Sequence, residues 1–178
     1  MTGQKQKRLV FITRKTRLEV LLEQYSTLGQ LEFYMRDQAV KLRAILDEDS
    51  LQQNCMEEVR NQIPQESKRV YVDRAELDSF LFSGDDLIVI VGQDGLVANT
   101  AKYLNKQTVI GINPDPDRFV GSLCPFRAEQ LSTLLTQLGA TTGHGKSDFT
   151  IEKRTMAIAR LNNGQELLAL NELFIGHR

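Results

Sequence analysis

The residues best placed to do chemistry are Gly92-Gln93-Asp94-Gly95, which close the apolar run Asp86-Leu-Ile-Val-Ile-Val91. A short stretch of Ile and Val reads as a strand buried on both faces, and the glycines after it let the backbone turn sharply and lie close to a ligand. Asp94 is thereby placed at the carboxyl end of a strand. In open α/β sheets that edge is where ligands bind, so its carboxylate is positioned to meet a substrate hydroxyl. Asp-Gly is also a common turn pair, and the same residues could simply punctuate a strand. The following segment decides between the two, because Val97, Ala98, Ala101 and Leu104 recur at helical spacing. The glycine loop therefore opens onto a helix N-terminus, whose unpaired N–H groups favour phosphate oxygens.

Asn113, Asp115 and Asp117 follow a second apolar run, Thr108 to Ile112, and share the same predicted sheet edge. Carboxylates two residues apart could hold a hard cation, but the intervening prolines make a Pro-Asp turn with solvated acids the better reading. Asn113 differs, since an amide at that edge can orient a ligand. Gly143-His-Gly-Lys-Ser147 imitates the end of a phosphate-binding P-loop. The motif requires a glycine where Ala140 stands, and a helix precedes the stretch where a strand should, so it reads as a connector with a solvated Lys146. Asn171-Glu172 interrupts the apolar run Leu167 to Ile175, and such a pair must face solvent or find partners. His144 and His177 are isolated, with no Ser or Cys pattern that suggests a nucleophilic triad.

These residues must be carried by a scaffold, and the order of apolar patterns supplies one. Leu9 to Ile12 predicts a strand, and Leu18, Leu21, Leu22, Tyr25 and Leu28 a helix running to Gly29. A second helical pattern begins at Leu31 and reaches Leu46. It either stops at Asp47-Glu-Asp49, with Ser50 capping a new helix, or runs through to Val59. Val70 to Val72 predicts a strand, Glu76 to Phe82 a short helix, and Leu131 to Leu138 a last helix ending at Gly139. Alternation of this kind implies an α/β fold, an open parallel sheet with flanking helices. From Phe149 strand signals dominate, and Asn163-Gly164 predicts a two-residue hairpin turn. We expect an α/β domain over 1–142 and the beginning of an all-β domain over 143–178.

The chain has 178 residues, enough for one sizeable core, and a formal net charge of −1. That balance argues against a general nucleic-acid or acidic-membrane binder. Cys55 and Cys124 lack metal-ligand spacing, and no predicted group has the pattern of a metal site. Four apolar residues after Lys5, Lys7 and Arg8 are too few for a signal peptide or a membrane span, so we expect a cytoplasmic protein. The first acidic residue is Glu19, which leaves an organelle transit segment open, though a buried first strand explains Leu9 to Ile12 more simply.

Taken in order, Asp86 to Gly95, Gly111-Ile-Asn113 and Ala169-Leu-Asn-Glu172 resemble the strand with G-G-D-G, the G-I-N and the later N-E pair of the NAD kinase family. Arg154-Thr155 and the hairpin before Leu170 are similar as well. The resemblance covers roughly residues 84 to 178 and implies phosphoryl transfer from ATP, with Mg²⁺, to the adenosine ribose 2'-hydroxyl of NAD. It makes Asp94 the catalytic base and positioning group. It sets Gly92, Gly95, Asn99 and Asn113 against the nucleotide, and gives Asn171 and Glu172 the ribose. Gln93 stands for the family's second glycine, Leu96 for its threonine, and Pro114-Asp-Pro-Asp117 for a glycine-containing turn. The family continues into a larger β domain, so the resemblance implies an incomplete one here, whose uncovered strand edges favour homo-oligomer contacts and whose activity as a short chain is open. Lipid and sugar kinases that share the G-G-D-G strand end, and a nucleotide-binding module without turnover, are the alternatives. The Asn171-Glu172 pair favours NAD.

Overall fold

The computed structural model describes residues 7–140, 150–173 and 176. Four runs rich in Val, Ile and Leu form β1 (Leu9–Thr13), β2 (Arg69–Asp73), β3 (Leu87–Val91) and β4 (Thr108–Ile112). They pair in the order β2-β1-β3-β4, every pair parallel, with Val10 opposite Ile88 and Ile88 opposite Val109. All five residues of β3 are buried, as a central strand covered on both faces requires.

The helices are α1 (Arg17–Tyr25), α2 (Leu28–Tyr34), α3 (Ala39–Asn61), α4 (Asp94–Ala101) and α5 (Leu131–Ala140). One sheet face packs Phe11, Val89 and Ile112 against Met56 and Val59 of α3 and Leu131 and Leu134 of α5. The other packs Val10, Ile12 and Ile90 against Leu96 and Val97 of α4, with Leu77 and Cys124 beside them. At the amino edge of the strands, Arg8 grips the buried Asp86 carboxylate with two hydrogen bonds of 2.9 and 2.7 Å, which fixes β1 against β3. The α/β class and the parallel sheet agree with the sequence reading.

Several elements differ from it. The helix expected to run from Leu18 to Gly29 breaks at Ser26, whose φ is 62°, and the Thr27 side chain caps α2 by accepting the Gln30 N–H. Gly29 therefore lies inside a helix and ends none. The pattern from Leu31 also breaks, at a short 3₁₀ turn over Arg36–Gln38, after which α3 runs without interruption through Ser50. The helix expected over 76–82 is a single 3₁₀ turn, Arg74–Glu76, capped by Asp73. Phe80 and Phe82 beyond it fold over the sheet in an edge-to-face contact, and burial of these rings replaces the helix.

A small antiparallel sheet, β5 (Ala157–Arg160) with β6 (Glu166–Ala169), follows. Its connection is longer than the two-residue turn expected. Leu161 donates its N–H to the Gln165 carbonyl, and Gly164, with φ 84°, occupies the left-handed position that a three-residue hairpin loop demands. β6 ends at Ala169, so Asn171 and Glu172 lie beyond the strand rather than inside it. The hairpin is seated on the main domain through Leu170, which packs beside Leu96 and Val97. The boundary expected at 142/143, Gly143 to Ser147, and the two histidines lie outside the described residues.

Candidate functional site at the carboxyl edge of the sheet

β1 connects leftward to β2 and β3 connects rightward to β4, so the chain diverges between the carboxyl ends of β1 and β3. Such a divergence leaves a crevice that nothing in the fold fills. A cleft of about 1030 Å³ opens there. Its lining is graded across the sheet. On the β2 and β1 side stand Arg14, Lys15, Arg17, Lys41 and Arg74, with Glu48 and Asp73 as the acids. On the β3 and β4 side stand Gln93, Asn99, Tyr103 and Phe119, all uncharged.

Three of the five cations are ion-paired and two are not, Lys15 being held by Glu23 just outside the lining. Glu48 takes Arg17 at 2.8 Å and touches Arg14 at 4.0 Å, and Asp73 is occupied in capping the turn after β2. Lys41 and Arg74 have no ion pair among the described residues. The N-terminus of α1 is closed by its own capping box, in which Thr16 accepts the Glu19 N–H and Glu19 accepts the Thr16 N–H. That of α4 is open, since the side chain of Gln93 makes no capping bond.

Asp94 occupies the first turn of α4, at the sheet edge where the sequence placed it. Its carboxylate faces away from the graded cleft toward the loop after β4. Oδ1 accepts the N–H groups of Leu123 at 2.8 Å and Cys124 at 3.0 Å, and Oδ2 accepts that of Ser122 at 2.9 Å. A carboxylate offers about four acceptor positions, so one direction on Oδ2 stays available. Gln93, one residue earlier, is the side chain that reaches the cleft.

The loop that holds Asp94 is itself held by the G-I-N segment. A Cβ on Gly111 would collide with the Leu123 carbonyl and lie 2.7 Å from the Cys124 Cα, so only glycine lets the loop settle on β4. Gly121 turns the chain with φ 69°, in space closed by Cys124 and by the Asn113 amide. Asn113 is buried. It donates from Nδ2 to the Phe119 carbonyl at 2.8 Å and accepts the Asp115 N–H at 3.0 Å, so its amide shapes the loop. Burial pushes the Cys124 thiol up to about 12, with the Asp94 charge adding to the effect, and Cys55 likewise to about 11. Both cysteines are free thiols.

Of the other expected contacts, Gly92 packs under Leu96, while Gly95 is exposed with open space where a side chain would stand. Asn99 lines the cleft, and Asn171 and Glu172 are exposed after β6. Asp117 pairs with Arg127 as the exposed turn acid expected, whereas Asp115, paired with Arg118, is largely covered, its side chain 14 % exposed.

No protein-family model matches this chain, and no curated protein does. Among the described residues no group of three or more His, Cys, Asp or Glu side chains is gathered to hold a metal ion. No helix among them is long and apolar enough to cross a membrane.

The sequence reading missed the cationic half of the site. Its signal was present: Arg14-Lys15-Thr16-Arg17 directly follows β1 and Arg74 directly follows β2, the same edge rule that picked out Asp94. Lys41 gave no such signal, because it enters from α3.

Proposed function

We propose that this chain is an NAD kinase-like phosphotransferase of the cytoplasm, moving the γ-phosphoryl group of ATP to the adenosine ribose 2'-hydroxyl of NAD to give NADP. One observation carries the reading: cationic side chains, of which Lys41 and Arg74 have no ion pair among the described residues, on one side of a switch-point cleft, and neutral amides and aromatic rings on the other. A polyanion joined to a planar, hydrogen-bonding nucleoside matches that gradient.

In the transfer, the cations and the open N-terminus of α4 hold the triphosphate. When bound, Mg²⁺ offsets the charge on the triphosphate oxygens. The 2'-hydroxyl oxygen attacks the γ-phosphorus, the bond to the β-bridging oxygen breaks, and ADP leaves. Asp94 takes the hydroxyl proton at the free position on Oδ2, which requires the acceptor ribose to lie beside the loop after β4, because the Ser122 to Cys124 N–H groups hold the carboxylate toward that loop. Asn171 and Glu172 contact the acceptor ribose.

A second reading, a nucleotide-binding module without turnover, is favoured by the same three N–H bonds, since they draw the Asp94 carboxylate away from the cleft. A coupled assay for NADP separates the two. NADP formation that is lost in Asp94→Ala supports the kinase. ATP binding with no NADP supports the module, and phosphorylation of a lipid or sugar in place of NAD would change the acceptor.

A further inference from the structure

Gln93 is where the two halves of the cleft meet. It follows β3, at the switch point, between the cations of the β1 and β2 side and the neutral Asn99, Tyr103 and Phe119. Its side chain is half-buried, makes no capping bond to α4, and has no other hydrogen bond among the described residues; only its backbone carbonyl is engaged, by Leu96. Asn99, the other amide in the cleft, already accepts a bond from Lys102 at 3.3 Å. An amide offers both donors and acceptors and carries no charge. It therefore adds little to the capture of phosphate beside arginines and lysines, but it can pair with a hydroxyl or a base edge that a bare polyphosphate lacks.

We propose that Gln93 is the specificity-determining contact of this cleft, reading the nucleoside portion of a nucleotide whose phosphates rest on the cationic side. The assignment rests on the nucleotide reading of the cleft and goes beyond it, because it predicts which part of the ligand depends on which residue. The physical basis is asymmetry: a site built to hydrogen-bond a group discriminates against a ligand without that group, whereas charge capture treats both alike.

The test is calorimetric titration of the full chain with ATP and, separately, with inorganic tripolyphosphate. Wild type should bind ATP more tightly than tripolyphosphate. Gln93→Met keeps the length of the side chain and removes its hydrogen bonds. It should weaken ATP by about tenfold, the loss expected for one net hydrogen bond, and leave tripolyphosphate unchanged. Gln93→Ala should give the same split, which guards against poor packing of Met. If both variants weaken the two ligands equally, or neither, Gln93 is not the selector and the cleft remains an anion site. If wild type binds neither ligand, the nucleotide reading itself fails and takes the assignment with it.

Discussion

Gly111 and Cys124 touch so closely that a single added methyl on Gly111 would come within 2.7 Å of the Cys124 Cα. The contact joins the G-I-N segment to the loop that grips Asp94, and the two motifs recognised in the sequence become one structural unit. Gly111→Ala must move backbone rather than a flexible side chain, at a cost on the order of 2–3 kcal/mol. For a domain of this size that lowers the melting temperature by roughly 5–10 °C, read by circular dichroism. An unchanged melt would mean that the loop does not sit against β4.

Asp94→Ala leaves the N–H groups of Ser122, Leu123 and Cys124 without their acceptor. Hydrogen bonds to a charged group contribute about 1.5–3 kcal/mol each, and water can reach part of this loop, so the net loss should be about 2–4 kcal/mol in urea unfolding. Asp94→Asn should lose less, because one oxygen still accepts. Equal stability of all three proteins would show that the carboxylate does not organise the loop.

The Arg8–Asp86 pair predicts an acid limit. Burial pushes the Asp86 carboxyl up, but hydrogen bonds from Arg8 and the Ser83 N–H outweigh it and hold the group below the usual carboxylate range. A folded value below the unfolded one means that the stabilisation is fully present above about pH 4 and is lost as pH falls through the folded value. Asp86→Asn should flatten that part of the stability profile. Arg8→Ala should be worse at neutral pH, costing about 3 kcal/mol, because it strands a buried charge, whereas removing Asp86 leaves an arginine that can reach water. Urea midpoints across pH 3 to 7, as a range on the order of the carboxylate titration, supply the comparison.

These differences trace how much the chain declares locally. β1 and β3 were legible because central strands buried on both faces need apolar runs, and the edge strand β4 because Val109, Ile110 and Ile112 keep enough of that pattern. The break between α1 and α2 was signalled only by Thr27 and Gln30, a capping pair easily overlooked inside a helical pattern. The hold on Asp94 was invisible for another reason: its donors lie 28 to 30 residues away, in a loop whose path depends on a glycine in a different strand. Local spacing finds the carboxylate and says nothing of which way it points.

The hairpin presents the facing pair Ile158 and Leu168, 47 % and 40 % exposed, and two strands alone make a marginal sheet. Self-association through this face is expected at micromolar concentration, with Leu168→Lys shifting the protein to monomer. Sedimentation velocity checks it, and a wild-type monomer would remove the expectation.

The cleft is tested most directly by ATP titration against charge reversal. Arg74→Glu and Lys41→Glu alter side chains that line it without an ion pair, so the fold should survive. Each should weaken ATP by roughly 10- to 100-fold, the worth of a lost charge-assisted contact, while Arg118→Glu, outside the cleft, leaves affinity unchanged. Binding that is equally strong in all three variants, or absent in the wild type, would contradict a nucleotide site between β1 and β3.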